Sequence, residues 1–193
     1  MDADRGHVGI DFGARSAGNT VVCVREKGLF RFHRSAKDSD GDAWLRSLID
    51  ELRPAGIYID APLSLPGVYT GRGHDHFFRA ADRQAGGMSP MFLGGLTARA
   101  MALASAWKSA GIAVHEAYPS ALVRHAWENL GIRPGASIPA SKLRLMAGMV
   151  LVPPPEPADR HEADAWLCWV VGHRHQRGEA KVFGTMEEGV ILA

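Results

Sequence analysis

Charge of either sign is nearly cancelled in this chain, and cysteine is scarce. Lys and Arg number 22 against 21 Asp and Glu, a formal net charge of +1. No global field draws in a polyanion, so any nucleic-acid contact needs a local basic patch. The two cysteines, Cys23 and Cys168, lie inside apolar stretches with no secretion signal ahead of them. They are expected to be buried free thiols rather than a disulfide. Met1-Asp2-Ala3-Asp4-Arg5 lacks an apolar signal core, and no apolar run is long enough to span a bilayer. A cytoplasmic soluble protein with no membrane partner is the expectation. Internal repeats are missing, and low complexity is confined to Pro153-Pro154-Pro155.

What is present is an ordinary globular balance, 46% hydrophobic and 22% charged, over 193 residues. That suffices for one core, so residues 1–193 read as a single domain. Residues 7–12 and 20–24 read as strands, and Glu26-Lys27-Gly28 turns the chain into a third over 29–33. Asp42 to Leu52 is an amphipathic helix with Trp44, Leu45, Leu48, Ile49 and Leu52 on one stripe. Pro54 and Gly56 stop it, and a fourth strand ends at Asp60. Residues 61–94 are the least regular segment, with a short helix expected within Phe77 to Gln84. A stretch this long inside a compact domain is usually functional or partly helical.

Leu96 to Ala110 is an alanine-rich helix stopped by Gly111, and a fifth strand ends at Glu116. Pro119 suits the first turn of a helix running to Leu130. Ser141 can cap another to Val150, and Asp159 a last one to about His175. Val182 to Leu192 can add a terminal strand or hairpin. Three strands in a meander followed by two crossover units predict a mixed α/β sheet of five strands, order 3-2-1-4-5, flanked by helices.

This order gathers acids. Strands one, four and five are then parallel, and adjacent strands lie about 4.8 Å apart. Asp11 and Asp60 end neighbouring strands, and parity puts both opposite their apolar neighbours, Ile10 and Ile59. Glu116 fits less well, because alternation sets it on the face of Val114. Either its side chain turns at the strand end or it has a different job. On the last helix His161, Asp164 and Cys168 share one face. Like charges held close repel, so such a cluster usually needs a cation.

Several pieces together resemble a known superfamily: Gly9-Ile10-Asp11, Ile59-Asp60-Ala61-Pro62-Leu63, Arg79-Ala80-Ala81-Asp82-Arg83, Glu116-Ala117-Tyr118-Pro119 and His161 to Ala165. The pattern resembles the ribonuclease-H-like superfamily, and more closely an uncharacterised family of predicted nucleases with that fold. The His-x-x-Asp-Ala piece is similar to the late-helix motif of Holliday-junction resolvases of the RuvC type. The resemblance covers residues from about 7 to 176. It implies a divalent-metal site made from Asp11, Asp60 and Asp164, with Glu116 or His161 assisting. One departure is plain: those resolvases usually carry two acids on the last helix, whereas here His161 and Glu162 precede Asp164 and Glu162 points off the shared face.

Such a site suits Mg²⁺ or Mn²⁺ and two-metal phosphodiester hydrolysis of DNA or RNA. In that scheme Asp11 bridges both ions, Asp60 takes one and Asp164 the other. Imidazole titrates near neutrality, so His161 is a candidate to orient or protonate the attacking or leaving group. Arg79 and Arg83, with Arg72, Arg99, Lys142 and Arg144, are candidates to contact phosphates.

Plainer roles stand beside these. Asp82 is expected to pair with Arg79 or Arg83. His74-Asp75-His76 lies in a polar loop and reads as solvent-facing. His173 and His175 can complement a helix dipole. Trp107, Trp127, Trp166 and Trp169 read as core or interface rather than base-stacking platforms, and Cys168 as core. Two other functions compete. An actin- or sugar-kinase-like phosphotransferase or ATPase is suggested by Asp11-Phe12-Gly13-Ala14-Arg15-Ser16, although the chain is short for the second domain such enzymes need. A catalytically inactive nucleic-acid-binding module of the same fold is the other.

Overall fold

Alternating apolar and small residues give the segment His7–Asp11 (β1) two unlike faces. Val8 and Ile10 enter one core, while Gly9 and Asp11 face the other way. The computed structural model describes residues 6–130 and 156–193, with residues 125–130 described by backbone alone. The expected helix from Ser141 to Val150, Lys142, Arg144 and the Trp127 side chain lie outside that description.

Strand β1 pairs antiparallel with Val21–Glu26 (β2), which pairs with Leu29–Arg34 (β3) through a turn at Lys27-Gly28. Helix α1, Gly41–Leu52, is capped by the Asp40 side chain, which accepts from the amides of Asp42 and Ala43. Its Leu45, Leu48 and Ile49 are buried. Gly56–Asp60 (β4) runs parallel to β1, and Ala113–Ala117 (β5) parallel to β4. Between them lie a 3-10 turn at Gly67–Thr70 and the helices Ala80–Ala85 (α2), Pro90–Leu93 (α3) and Gly95–Ser109 (α4). Pro119–Leu130 (α5) and Arg160–Gln176 (α6) follow, then Val182–Thr185 (β6) and Gly189–Leu192 (β7). Among the described residues no helix is long and apolar enough to cross a membrane.

The sheet order is β3-β2-β1-β4-β5-β7-β6. The mixed α/β arrangement expected from the sequence, 3-2-1-4-5 flanked by helices, is present, but the sheet has seven strands rather than five. The closing hairpin joins it because β7 pairs parallel with β5, Glu116 with Ile191 and Ala117 with Leu192. Two four-residue strands carry too little alternation to announce membership of a sheet.

Two cores flank the sheet. One lies under α1 and α4, with Ile10, Ile57, Ile59, Leu103 and Trp107. The other lies under α6, with Tyr58, Trp166, Cys168, Trp169 and Val170. Both cysteines are buried and free, and Trp107, Trp166 and Trp169 are core residues. Helix α6 lies directly on the sheet because glycines remove what would separate them. A Cβ on Gly9 would meet the Trp169 amide nitrogen at 2.2 Å and the Ala165 carbonyl oxygen at 2.3 Å. A Cβ on Gly172 would meet the Tyr58 ring at 2.5 Å and the His7 ring at 2.6 Å.

Aromatic rings fill the contact beyond. His7 stacks on Trp169, which stacks on His173, and His7 Nε2 lies 2.8 Å from the Trp169 carbonyl. His175 does more than complement a dipole, since its Nδ1 lies 2.9 Å from the Tyr58 hydroxyl. Burial lowers the His7 pKa to about 4, offset in part by the bond to Trp169.

Two outcomes follow from this contact. Gly9→Ala forces backbone apart, so urea unfolding is expected to show a loss of about 3 kcal/mol or more. For His7, the unfolded chain takes a proton below its ordinary pKa of 6.5, while the folded chain resists until about 4. Stability therefore falls as pH drops through that window. Relative to His7→Gln, the wild type is expected to lose about 3 kcal/mol between those limits, read by urea unfolding at a series of pH values.

Candidate functional site

The sheet brings two acids together by register. Asp11 and Asp60 are Cα partners at the carboxyl ends of β1 and β4. Both point to the α6 side, sharing parity with Gly9 and Tyr58. Helix α6 starts over this lip, its first turn capped by Asp159, whose side chain accepts from the Glu162 amide. Because α6 rests on Gly9, its first two turns carry His161 and Asp164 to the strand ends. His161 Nδ1 donates to Asp11 Oδ2 at 2.6 Å. Asp164 Oδ2 accepts from Arg160 Nε at 3.1 Å. Glu162 turns away, accepting from the Ala158 amide.

The electrostatics are those of crowded acids. Burial pushes the Asp11 carboxyl up to about 6; its bond to His161 pulls down and the nearby Asp164 adds to the rise. Asp60 is held well above the ordinary range, first by burial and then by Asp11, Asp164 and Glu116. Asp164 is raised by burial, with Arg160 and His161 opposing. Among the described residues no donor reaches the Asp60 carboxylate, although part of it meets solvent. Among the described residues no three His, Cys, Asp or Glu side chains stand together as a ready metal cage. Asp11 and Asp164 are instead turned to the nitrogen donors of His161 and Arg160.

Glu116, which fits the strand parity less well than Asp11 and Asp60, is taken up by a buried ion pair and a loop amide. It accepts two bonds from Arg79, both 2.7 Å, and one from the Leu63 amide at 2.9 Å. Arg79 was expected among the phosphate contacts, and that expectation is corrected. Its guanidinium is fully buried and also binds Asp82 and the Ser64 hydroxyl. Beyond Asp82, its partners Glu116 and Ser64 come from other segments, so its burial is not visible in its neighbours along the chain. Asp82 pairs with Arg79 as expected. Arg83 is exposed, lies over the Phe78 ring and pairs with Asp75. His74 and His76 are exposed. Arg72 donates to the Glu187 carbonyl.

Arg99 is also committed: it binds Asp42, donates to the Gly13 carbonyl at 3.2 Å and lies over the Phe12 ring. It thereby holds the loop after Asp11, as Glu116 holds the loop after Asp60. The Gly13 amide donates to Thr20 Oγ1 at 3.1 Å. Arg160 escaped the sequence reading, although its four-residue spacing from Asp164 is a visible signal for a helical pair.

No protein-family model matches the chain, and no curated protein matches it either. Among solved structures it is similar to Thermus thermophilus RuvC, at 17% identity and a TM-score of 0.44, with 91% of this chain and 98% of that one covered. It is also similar to T. thermophilus RuvC in complex with a Holliday junction substrate, at 15% identity and a TM-score of 0.45, with 91% and 97% covered.

Asp11 supplies a pH test with a definite sign. Its folded pKa of about 6 exceeds the ordinary 3.8, so the folded state holds the proton more tightly. The stability this gives is complete below 3.8 and lost as pH rises through 6. Asp11→Asn is thus expected to be more stable than wild type at pH 8, by on the order of 2 kcal/mol, and to lose that advantage by pH 4. Thermal unfolding at both pH values measures it.

Proposed function

We propose that the protein is a divalent-metal-dependent nuclease that hydrolyses phosphodiester bonds of nucleic acid. One observation carries the reading: Asp11 and Asp60 are register partners at one lip of the sheet, and α6 brings a third acid, Asp164, beside them. The donors fit Mg²⁺ or Mn²⁺ in kind, being carboxylate oxygens, and Asp60 has no protein donor among the described residues. Burial raises all three carboxyls, neighbouring acids add to the rise at Asp11 and Asp60, and a hard cation relieves that repulsion.

When bound, paired cations supply an activated water and steady the leaving oxygen. Asp11 would hold both, Asp60 one and Asp164 the other. His161, 40% exposed and hydrogen-bonded to Asp11, would orient or pass a proton at the attacking or leaving oxygen. Glu116 acts through the Leu63 amide, holding the loop that follows Asp60, rather than as a ligand. Arg83 stays a candidate phosphate contact because it is exposed beside an aromatic ring.

The test pairs binding with turnover. Calorimetric titration with manganese chloride is expected to give heat in the wild type and none in Asp11→Asn or Asp60→Asn. Labelled single-stranded, duplex and branched DNA and RNA are expected to be cut in manganese and spared in chelator, with each variant slower by about a hundredfold or more. Cleavage that survives Asp11→Asn marks a contaminant. Heat on titration with no cleavage of any substrate identifies the inactive module.

A further inference from the structure

Arg160 opens α6 one turn before Asp164. Its Nε lies 3.1 Å from Asp164 Oδ2, and its side chain is 85% exposed. An exposed pair at this spacing is weak, because ordering two side chains in water cancels most of the attraction. Its charge is also felt by Asp11 and Asp60, so the guanidinium stands near all three acids. Other arginines at this lip are committed elsewhere: Arg79 is buried on Glu116 and Asp82, and Arg99 binds Asp42 and Gly13. Arg34 binds Asp159. Arg160 alone of these four combines contact with a site acid and freedom to swing.

We propose that Arg160 is a tethered counter-cation of the acid cluster: it neutralises Asp164 until a divalent cation takes that carboxylate, and then turns its guanidinium to a phosphate oxygen of the substrate. The inference rests on the cation-dependent reading above and adds a residue to it. A guanidinium fork fits carboxylate and phosphate alike, so one side chain can serve both partners in turn. Weakness of the pair is what the exchange requires, since a buried bridge would hold Asp164 against the incoming ion. The same contact explains why Asp164 is not offered as a free ligand now.

The alternative is an ordinary surface helix pair with no part in the site. Arg160→Gln and Arg160→Lys separate the two, and the exposure of the side chain keeps both variants folded. Manganese chloride is titrated by calorimetry at fixed ionic strength. If the proposal holds, Arg160→Gln binds manganese about threefold to fivefold more tightly than wild type, while Arg160→Lys, which keeps the charge, stays within about twofold. On a cleavable oligonucleotide, Arg160→Gln then raises KM several-fold with kcat little changed, which a structural role does not predict.

Equal or weaker manganese binding in Arg160→Gln overturns the proposal while leaving the nuclease reading intact. So does equal tightening in Arg160→Lys. Tighter binding with an unchanged KM removes the phosphate-contact half. Absence of manganese binding in both wild type and Arg160→Gln sinks the cation reading and this inference with it; binding that appears only in Arg160→Gln supports both.

Discussion

The contact between α6 and β1 at Gly9 is the constraint on which the rest of the structure depends. Helix backbone and strand backbone meet there with no side chain between them. That approach seals the core of Trp166, Cys168 and Trp169 against the sheet. It also sets the height of the helix start above the strand ends, and with it the reach of His161 and Asp164. The His7 and Tyr58 rings against Gly172 fix the far end of the same helix, so its tilt is determined at two points. Packing and site geometry are thus one problem in this molecule, and two glycines set the distance at which both are solved.

Against that rigid frame the acids are held in electrostatic conflict. Three carboxyls sit above their ordinary range, and two of them lean on a nearby histidine or arginine. Strain of this kind is common where a protein keeps a site ready for charge that arrives later. The neighbouring cluster at Arg79 resolves its charges fully. Arg79, Asp82 and Glu116 form a buried cluster in which every guanidinium nitrogen has an acceptor. The two arrangements lie on adjacent strands, and the contrast separates a settled ion-pair cluster from a strained acidic lip.

Much of this was legible in the sequence, for physical reasons that differ residue by residue. The parity of Asp11 and Asp60 could be read because strand alternation is strict, and their pairing followed from the order of elements. The same alternation set Glu116 apart, and its bonds to Leu63 and Arg79 explain why. Asp159 announced the start of α6 because a capping residue acts locally. Arg79 was misjudged because its burial depends on Ser64 and Glu116, remote in sequence. The β6–β7 hairpin was foreseen as a hairpin but not as sheet, since its pairing with β5 is a long-range event. The close approach at Gly9 had no signature beyond the glycine itself, and an exposed i,i+4 pair such as Arg160 with Asp164 looks in sequence like any other on a helix surface.

The reach of one hydrogen bond has a further consequence for how the molecule comes into being. His161 and Asp11 meet across 150 positions of chain. Strand β1 emerges well before its covering helix, so the bare sheet face waits for a partner that the ribosome has yet to deliver. Contacts this distant close slowly, and unfinished chains of this type expose sticky surface meanwhile. The acidic lip therefore cannot assemble until α6 has followed β1 out of the ribosome and folded back over it.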